Sequence, residues 1–201
     1  MDQAASYHSK MGSDLKKVKD EVLRCKKCQL YKTRIHPVIG QGNHQAKICL
    51  IGEAPGANED KTGWPFCGQA GKVLDELLDS TGIKREEIYI TNILKCRPPG
   101  NRNPLKNEID ACSDYLLRQL VIIKPEAICC LGNFATQFIM EKFDLSDKVA
   151  SIGRIHGQAF SASRKGYGQL HIIPLYHPAA VTYNVGMKET LIKDFRILKR
   201  F

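Results

Sequence analysis

The sequence predicts an α/β protein, a three-layer α/β/α sandwich around a central four-stranded, mainly parallel sheet. Three observations carry that expectation. Four short apolar runs, at 48–51, 88–91, 127–131 and 170–175, have the length and unbroken hydrophobicity of strands buried on both faces. Helical periodicity fills the segments between them, the alternation that builds a parallel sheet covered by helices. Three of the runs open at their carboxyl ends into Gly52-Glu53, Asn92 and Tyr176-His177, at the end of an open α/β sheet where ligands bind.

At 201 residues the chain is expected to form one domain, residues 1–201, large enough to bury its own core. With 43% hydrophobic and 25% charged residues it has the balance of a soluble protein. No apolar run approaches the roughly 20 residues of a membrane helix, and the N-terminus lacks a signal-peptide hydrophobic region. A cytoplasmic protein with no membrane contact, acting as a monomer, is the expectation. The net charge of +9 suits a polyanionic partner. Eight cysteines are many where disulfides are rare, which makes their spacing informative.

In chain order, residues 1–13 are small and polar and are expected to fray. Asp14 is placed to cap a helix whose apolar stripe is Leu15, Val18, Val22 and Leu23. The first strand, 48–51, breaks into Gly52-Glu53-Ala54-Pro55-Gly56, and the stretch 57–68 reads as a long loop with two more carboxylates and an aromatic pair. Val73, Leu74, Leu77 and Leu78 define a helix over 70–81 that Gly82 closes. The strand at 88–91 ends at Asn92, and prolines keep 93–104 from being helical throughout. Helices are predicted over 108–123, 132–140 and 188–198, and a hairpin arm over 153–160.

Cys25-Lys26-Lys27-Cys28 can hold a metal from two sides of one turn, and Cys96 and Cys112 are its best-placed partners. Cys49, Cys129 and Cys130 fall inside apolar strands, where cysteine behaves as a small hydrophobe. Four thiolates admit Zn²⁺ or an iron–sulfur cluster, and spacing alone does not separate the two; without further context the single C-x₂-C pair favours zinc.

Six motifs together resemble the family 4 uracil-DNA glycosylases, the iron–sulfur branch of the uracil glycosylase superfamily. They are Cys25-x₂-Cys28, Gly52-Glu53-Ala54-Pro55-Gly56, Lys61-Thr62-Gly63-x-Pro65-Phe66, Thr91-Asn92-x₂-Lys95-Cys96-Arg97-Pro98-Pro99, Cys112, and His177-Pro178-Ala179-Ala180. The resemblance implies excision of uracil from single- or double-stranded DNA, leaving an abasic site. It also implies a [4Fe–4S] cluster on Cys25, Cys28, Cys96 and Cys112.

For the site, the resemblance implies a base pocket containing Gly52, Ala54, Glu59, Phe66 and Asn92. Phe66 offers a face to the extruded ring, Asn92 can meet uracil O4 and N3–H together, and Glu59 stands near C5 against a thymine methyl. His177 would donate to uracil O2 as charge develops there. Glu53 and Asn101 would orient water and stabilise the cationic sugar. The segment 178–183 would press into the minor groove, although Ala179, Val181 and Tyr183 replace the family's usual serine and leucine pair. Arg97, Arg102, Lys106 and Lys188 are the expected phosphate-facing cations. Two other functions compete: a uracil-DNA binder that traps its substrate, and a structural or redox iron–sulfur protein.

Overall fold

The computed structural model describes residues 2–201, with side chains from residue 12 onward. Six strands are present among the described residues: β1 (Gln41–Gly42), β2 (Ile48–Gly52), β3 (Tyr89–Asn92), β4 (Ala127–Leu131), β5 (Phe160–Arg164) and β6 (Gly168–Leu175). They form one sheet in the order β1-β3-β2-β4-β6-β5. The inner four pair in parallel, with Gly52 opposite Asn92 and Cys49 opposite Ile128. Both edge strands run antiparallel to their neighbours.

The sheet is therefore mixed and six-stranded, a correction to the four strands expected. The added strands lack the signal that revealed the others. β1 has only two residues, and β5 reads Phe-Ser-Ala-Ser-Arg, of which only Ala162 is buried. By contrast every residue of β2, β3 and β4 is buried, the cause of their continuous apolar runs.

Strand alternation splits the core in two. Cys49, Ile51, Ile128 and Cys130 face α1 (Asp2–Arg24), α4 (Lys106–Ile123) and α5 (Asn133–Lys142), through Leu15, Leu116, Leu120, Phe138 and Ile139. Ile48, Leu50, Cys129 and Leu131 face α3 (Gln69–Asp79) and α8 (Met187–Phe195), through Val73, Leu74, Leu77, Leu78, Leu191 and Phe195. A third cluster, Val18, Val22, Leu94 and Tyr115, packs around Cys96 and Cys112 where α1 meets α4.

Three local expectations change. Helix α1 begins at Asp2, so residues 2–13 are helical, and Asp14 pairs with Lys17 inside the helix at 3.0 Å rather than capping it. The loop after β2 contains a short helix, α2 (Ala57–Thr62), ended by Gly63 in the left-handed conformation. The predicted hairpin arm divides into α6 (Ile152–Ile155) and β5, and α7 (Ala180–Tyr183) stands between β6 and α8.

Candidate active-site pocket and four-thiol site

A pocket of about 580 Å³ opens at the carboxyl ends of β2, β3 and β6, within the usual range for small-ligand sites of about 300–1,000 Å³. Its walls include Glu53, Ala54, Glu59, Phe66, Asn92, Asn101, His177 and Tyr183. The structure thus brings seven of the eight predicted pocket residues to its surface. Gly52, the eighth, lies directly beneath.

Gly52 ends β2 opposite Asn92, and a Cβ there would sit 2.3 Å from Asn92 Oδ1 and 2.9 Å from Phe66 Cζ. The missing side chain lets the Asn92 amide and the Phe66 ring close over the strand end. Phe66 itself takes a left-handed φ of 50°, uncommon for a bulky residue. Two contacts hold it there. Gly71 at the start of α3 leaves room for the Phe66 carbonyl, which a Cβ would meet at 1.9 Å, and Arg85 Nη2 donates to the carbonyls of Pro65 (2.7 Å) and Phe66 (3.1 Å).

Glu59, on α2, accepts the amides of Cys67 and Gly68 through Oε1, both at 3.0 Å. The carboxylate therefore fastens the loop that presents Phe66. Glu53 is half-buried, and burial raises its carboxyl above the ordinary carboxylate value. Asn101 adopts a left-handed φ of 56°, which asparagine tolerates, and its Oδ1 accepts from Arg97 Nε at 2.7 Å.

His177 follows β6 and is turned by Pro178. The Ala179 amide donates to its Nδ1 at 3.1 Å, and the Phe66 ring stacks beside it with centroids 5.6 Å apart and planes at 29°. Burial drives the imidazole down to about 4, the charge of Glu59 opposing this more weakly. At neutral pH the ring is uncharged. With Nδ1 occupied as an acceptor, its proton resides on Nε2.

The second constellation lies between α1, α4 and the loop after β3. Cys25, Cys28, Cys96 and Cys112 all line one cavity walled by Val22, Leu30, Leu94 and Tyr115. Three of the sulfurs accept N–H groups: Cys96 from Arg34 (3.1 Å), Cys112 from the Lys95 amide (3.3 Å) and Cys25 from the Lys27 amide (3.5 Å). Burial raises the thiols of Cys28 and Cys96, and pushes Cys112 up to about 11. Among the described residues no three His, Cys, Asp or Glu side chains are gathered as a single metal ion requires. Cys49, Cys129 and Cys130 are fully buried strand residues, and Cys67 is exposed.

The four expected phosphate-facing cations all have partners within the chain. Arg97 holds Asn101, Arg102 pairs with buried Glu108 at 2.6 Å, Lys188 with Glu76 at 2.6 Å, and Lys106 with Asp110 at 3.7 Å. Sequence reasoning missed Arg85, whose clamp on Phe66 spans 19 residues and has no local signature.

The model of the uracil DNA glycosylase superfamily matches residues 39–197. The chain is 48% identical to a type-4 uracil-DNA glycosylase of Archaeoglobus fulgidus, covering 88% of this chain and 87% of that protein. It is 45% identical to the type-4 uracil-DNA glycosylase of Saccharolobus solfataricus, covering 90% and 83%. Against that of Sulfurisphaera tokodaii it is 42% identical, covering 92% and 83%.

Proposed function

This chain belongs to the uracil DNA glycosylase superfamily and removes uracil from DNA by hydrolysing its N-glycosidic bond, and we propose that the pocket above β2, β3 and β6 performs that step. A single observation supports the assignment: Asn92 and His177 line one pocket, and the Ala179 amide on Nδ1 leaves Nε2 of a neutral ring as the donor.

As the glycosidic bond stretches, uracil gains negative charge and the sugar positive charge. A neutral His177 meets the departing base with Nε2–H toward O2, where the charge accumulates, and such a donor lowers the barrier by about 2.7–4 kcal/mol. Asn92 presents one donor and one acceptor, the complement of uracil O4 and N3–H. Cytosine reverses that pattern and would leave a buried polar group unpaired, at about 1–3 kcal/mol. Phe66, Gly52 and Ala54 shape the slot for the flat ring, and the free edge of Glu59 stands toward C5. Glu53 and Asn101 orient the water and face the cationic sugar. No strong base is poised there, so the base departs largely before water attacks.

Tyr183 is 90% exposed at the pocket rim and is assigned as the group that enters the duplex where the base has left. We read the chain as a one-domain monomer acting on DNA in the cytoplasm; the pocket and the thiol site are each lined by residues of a single chain, as a monomer requires.

We assign Cys25, Cys28, Cys96 and Cys112 as ligands of a [4Fe–4S] cluster. A zinc ion would need sulfurs about 3.8 Å apart, from the tetrahedral bond length of about 2.3 Å. All four thiols line one cavity and three of them accept N–H groups, the surroundings an anionic cluster calls for. The four cysteines, holding such a cluster, would tie together the segment after α1, helix α4 and the loop after β3.

Incubation with a single-stranded oligonucleotide containing one uracil tests the proposal. Free uracil and an alkali-labile abasic site are expected. A persistent protein–DNA adduct would favour a trapping protein, and neither product would leave only an iron–sulfur protein.

A further inference from the structure

Among the described residues Lys95 is the one lysine or arginine that is fully buried, 1% exposed. Its ammonium donates three hydrogen bonds: to Thr91 Oγ1 at 2.7 Å, the Asn92 carbonyl at 2.8 Å and Gln119 Oε1 at 2.8 Å. All three acceptors are neutral. Taking an ammonium out of water costs several kcal/mol unless an opposite charge or a full set of acceptors compensates. A methionine would fill the space without that cost, so the position of the charge calls for a purpose.

The same residue reaches both constellations. Its backbone amide donates to Cys112 Sγ, while its ammonium grips the carbonyl of Asn92. Gln119 lies two turns after Cys112 on α4, so the ammonium ties the thiol-bearing helix to the last two residues of β3. Gln119 in turn donates to the Ile39 carbonyl (2.9 Å) and the Tyr89 hydroxyl (3.0 Å), which leaves the network little slack.

We propose that Lys95 is a positioning residue that registers Asn92 against the four-thiol site, so that the selectivity of the base pocket depends on a buried cation outside it. The role rests on the base-reading function assigned above to Asn92. An anionic cluster on the four thiolates would supply the missing countercharge.

The test compares Lys95→Met, Thr91→Val and Thr91→Ser with the wild-type holoprotein. Iron content, melting temperature and affinity are measured for duplexes carrying an uncleavable deoxyuridine analogue or undamaged DNA. Lys95→Met should weaken binding to the analogue about tenfold, a loss of about 1.4 kcal/mol, and leave undamaged DNA unaffected. Thr91→Val, which deletes one acceptor, should shift the ratio in the same direction, and Thr91→Ser, which restores a hydroxyl, should return it. Should Lys95→Met fail to fold or load iron, the Thr91 pair decides. Equal losses on both DNAs, or an unchanged ratio, would overturn the proposal, because a merely structural lysine affects all binding alike. A wild-type protein without iron would refute the cluster, while the ratio would still decide the role of Lys95.

Discussion

The backbone amide of Ala179 donates to Nδ1 of His177 across 3.1 Å, and this bond selects the tautomer of the imidazole. Burial keeps the ring neutral and the Ala179 bond occupies its acceptor nitrogen, so Nε2 is left as a donor. The alanine supplies only an amide, so the unusual residue after Pro178 costs nothing at this position. His177→Ala should slow single-turnover cleavage about 100-fold or more, the scale of one lost oxyanion donor. Affinity for an uncleavable uracil analogue should hardly change, since the interaction strengthens only in the transition state. A wild-type rate would remove His177 from the mechanism.

Gly52→Ala probes the floor of the pocket. A methyl group 2.3 Å from Asn92 Oδ1 and 2.9 Å from Phe66 Cζ must displace both. A misplacement of about 1 Å costs on the order of 100-fold in rate. Cleavage should fall by that factor with iron content intact, and Gly52→Ala retaining full activity would show that the base does not lie against Asn92.

The cysteines divide by location, not by reactivity. Cys112→Ala should release the iron and bleach the broad visible absorption expected of the holoprotein. Cys129→Ala, inside β4 and without solvent contact, should cost about 1 kcal/mol of packing and keep the colour. Bleaching in both variants would indicate that cluster loss follows general destabilisation.

Much of this site was legible because its chemistry sits on short contiguous motifs. Glu53, Asn92 and His177 each follow an apolar run, so a strand-end reading places them together before any contact is known. The four thiols were readable as a set, but spacing left zinc and iron–sulfur open. Edge strands β1 and β5 were not legible, since one is too short and the other too polar to mark a buried strand. Nor was the work of Arg85 and Lys95, whose partners lie across the fold or on the backbone, where sequence pattern carries no trace. The pairing of Arg102 with buried Glu108 is another contact that sequence pattern does not show.

Tyr183 predicts a difference between substrates. An exposed aromatic that fills the gap in a duplex is needed only where a duplex must be opened. Stacking of this kind is worth about 1–3 kcal/mol, so Tyr183→Ala should lower cleavage of uracil in duplex DNA about tenfold. Single-stranded cleavage should be unchanged, and an equal effect on both substrates would assign Tyr183 to the pocket wall instead.

His177 also fixes the direction of a pH effect on stability. Its folded value of about 4 lies below the ordinary histidine value of 6.5, so between those pH values the unfolded chain binds a proton that the native protein does not. Stability from this residue is therefore fully present above pH 6.5 and is lost as pH falls toward 4, by up to about 3 kcal/mol at about 1.36 kcal/mol per unit. His177→Gln keeps a polar side chain of similar reach but does not titrate. Urea unfolding of both proteins at pH 7.5, 6, 5 and 4, conditions spanning the histidine range of about 4–6.5, separates this contribution from the carboxylates, which titrate in both. The two stability curves should converge as the pH falls, the wild type losing more. Curves that stay parallel would mean that His177 is protonated as readily in the fold as in water, and the neutral donor would have to be abandoned.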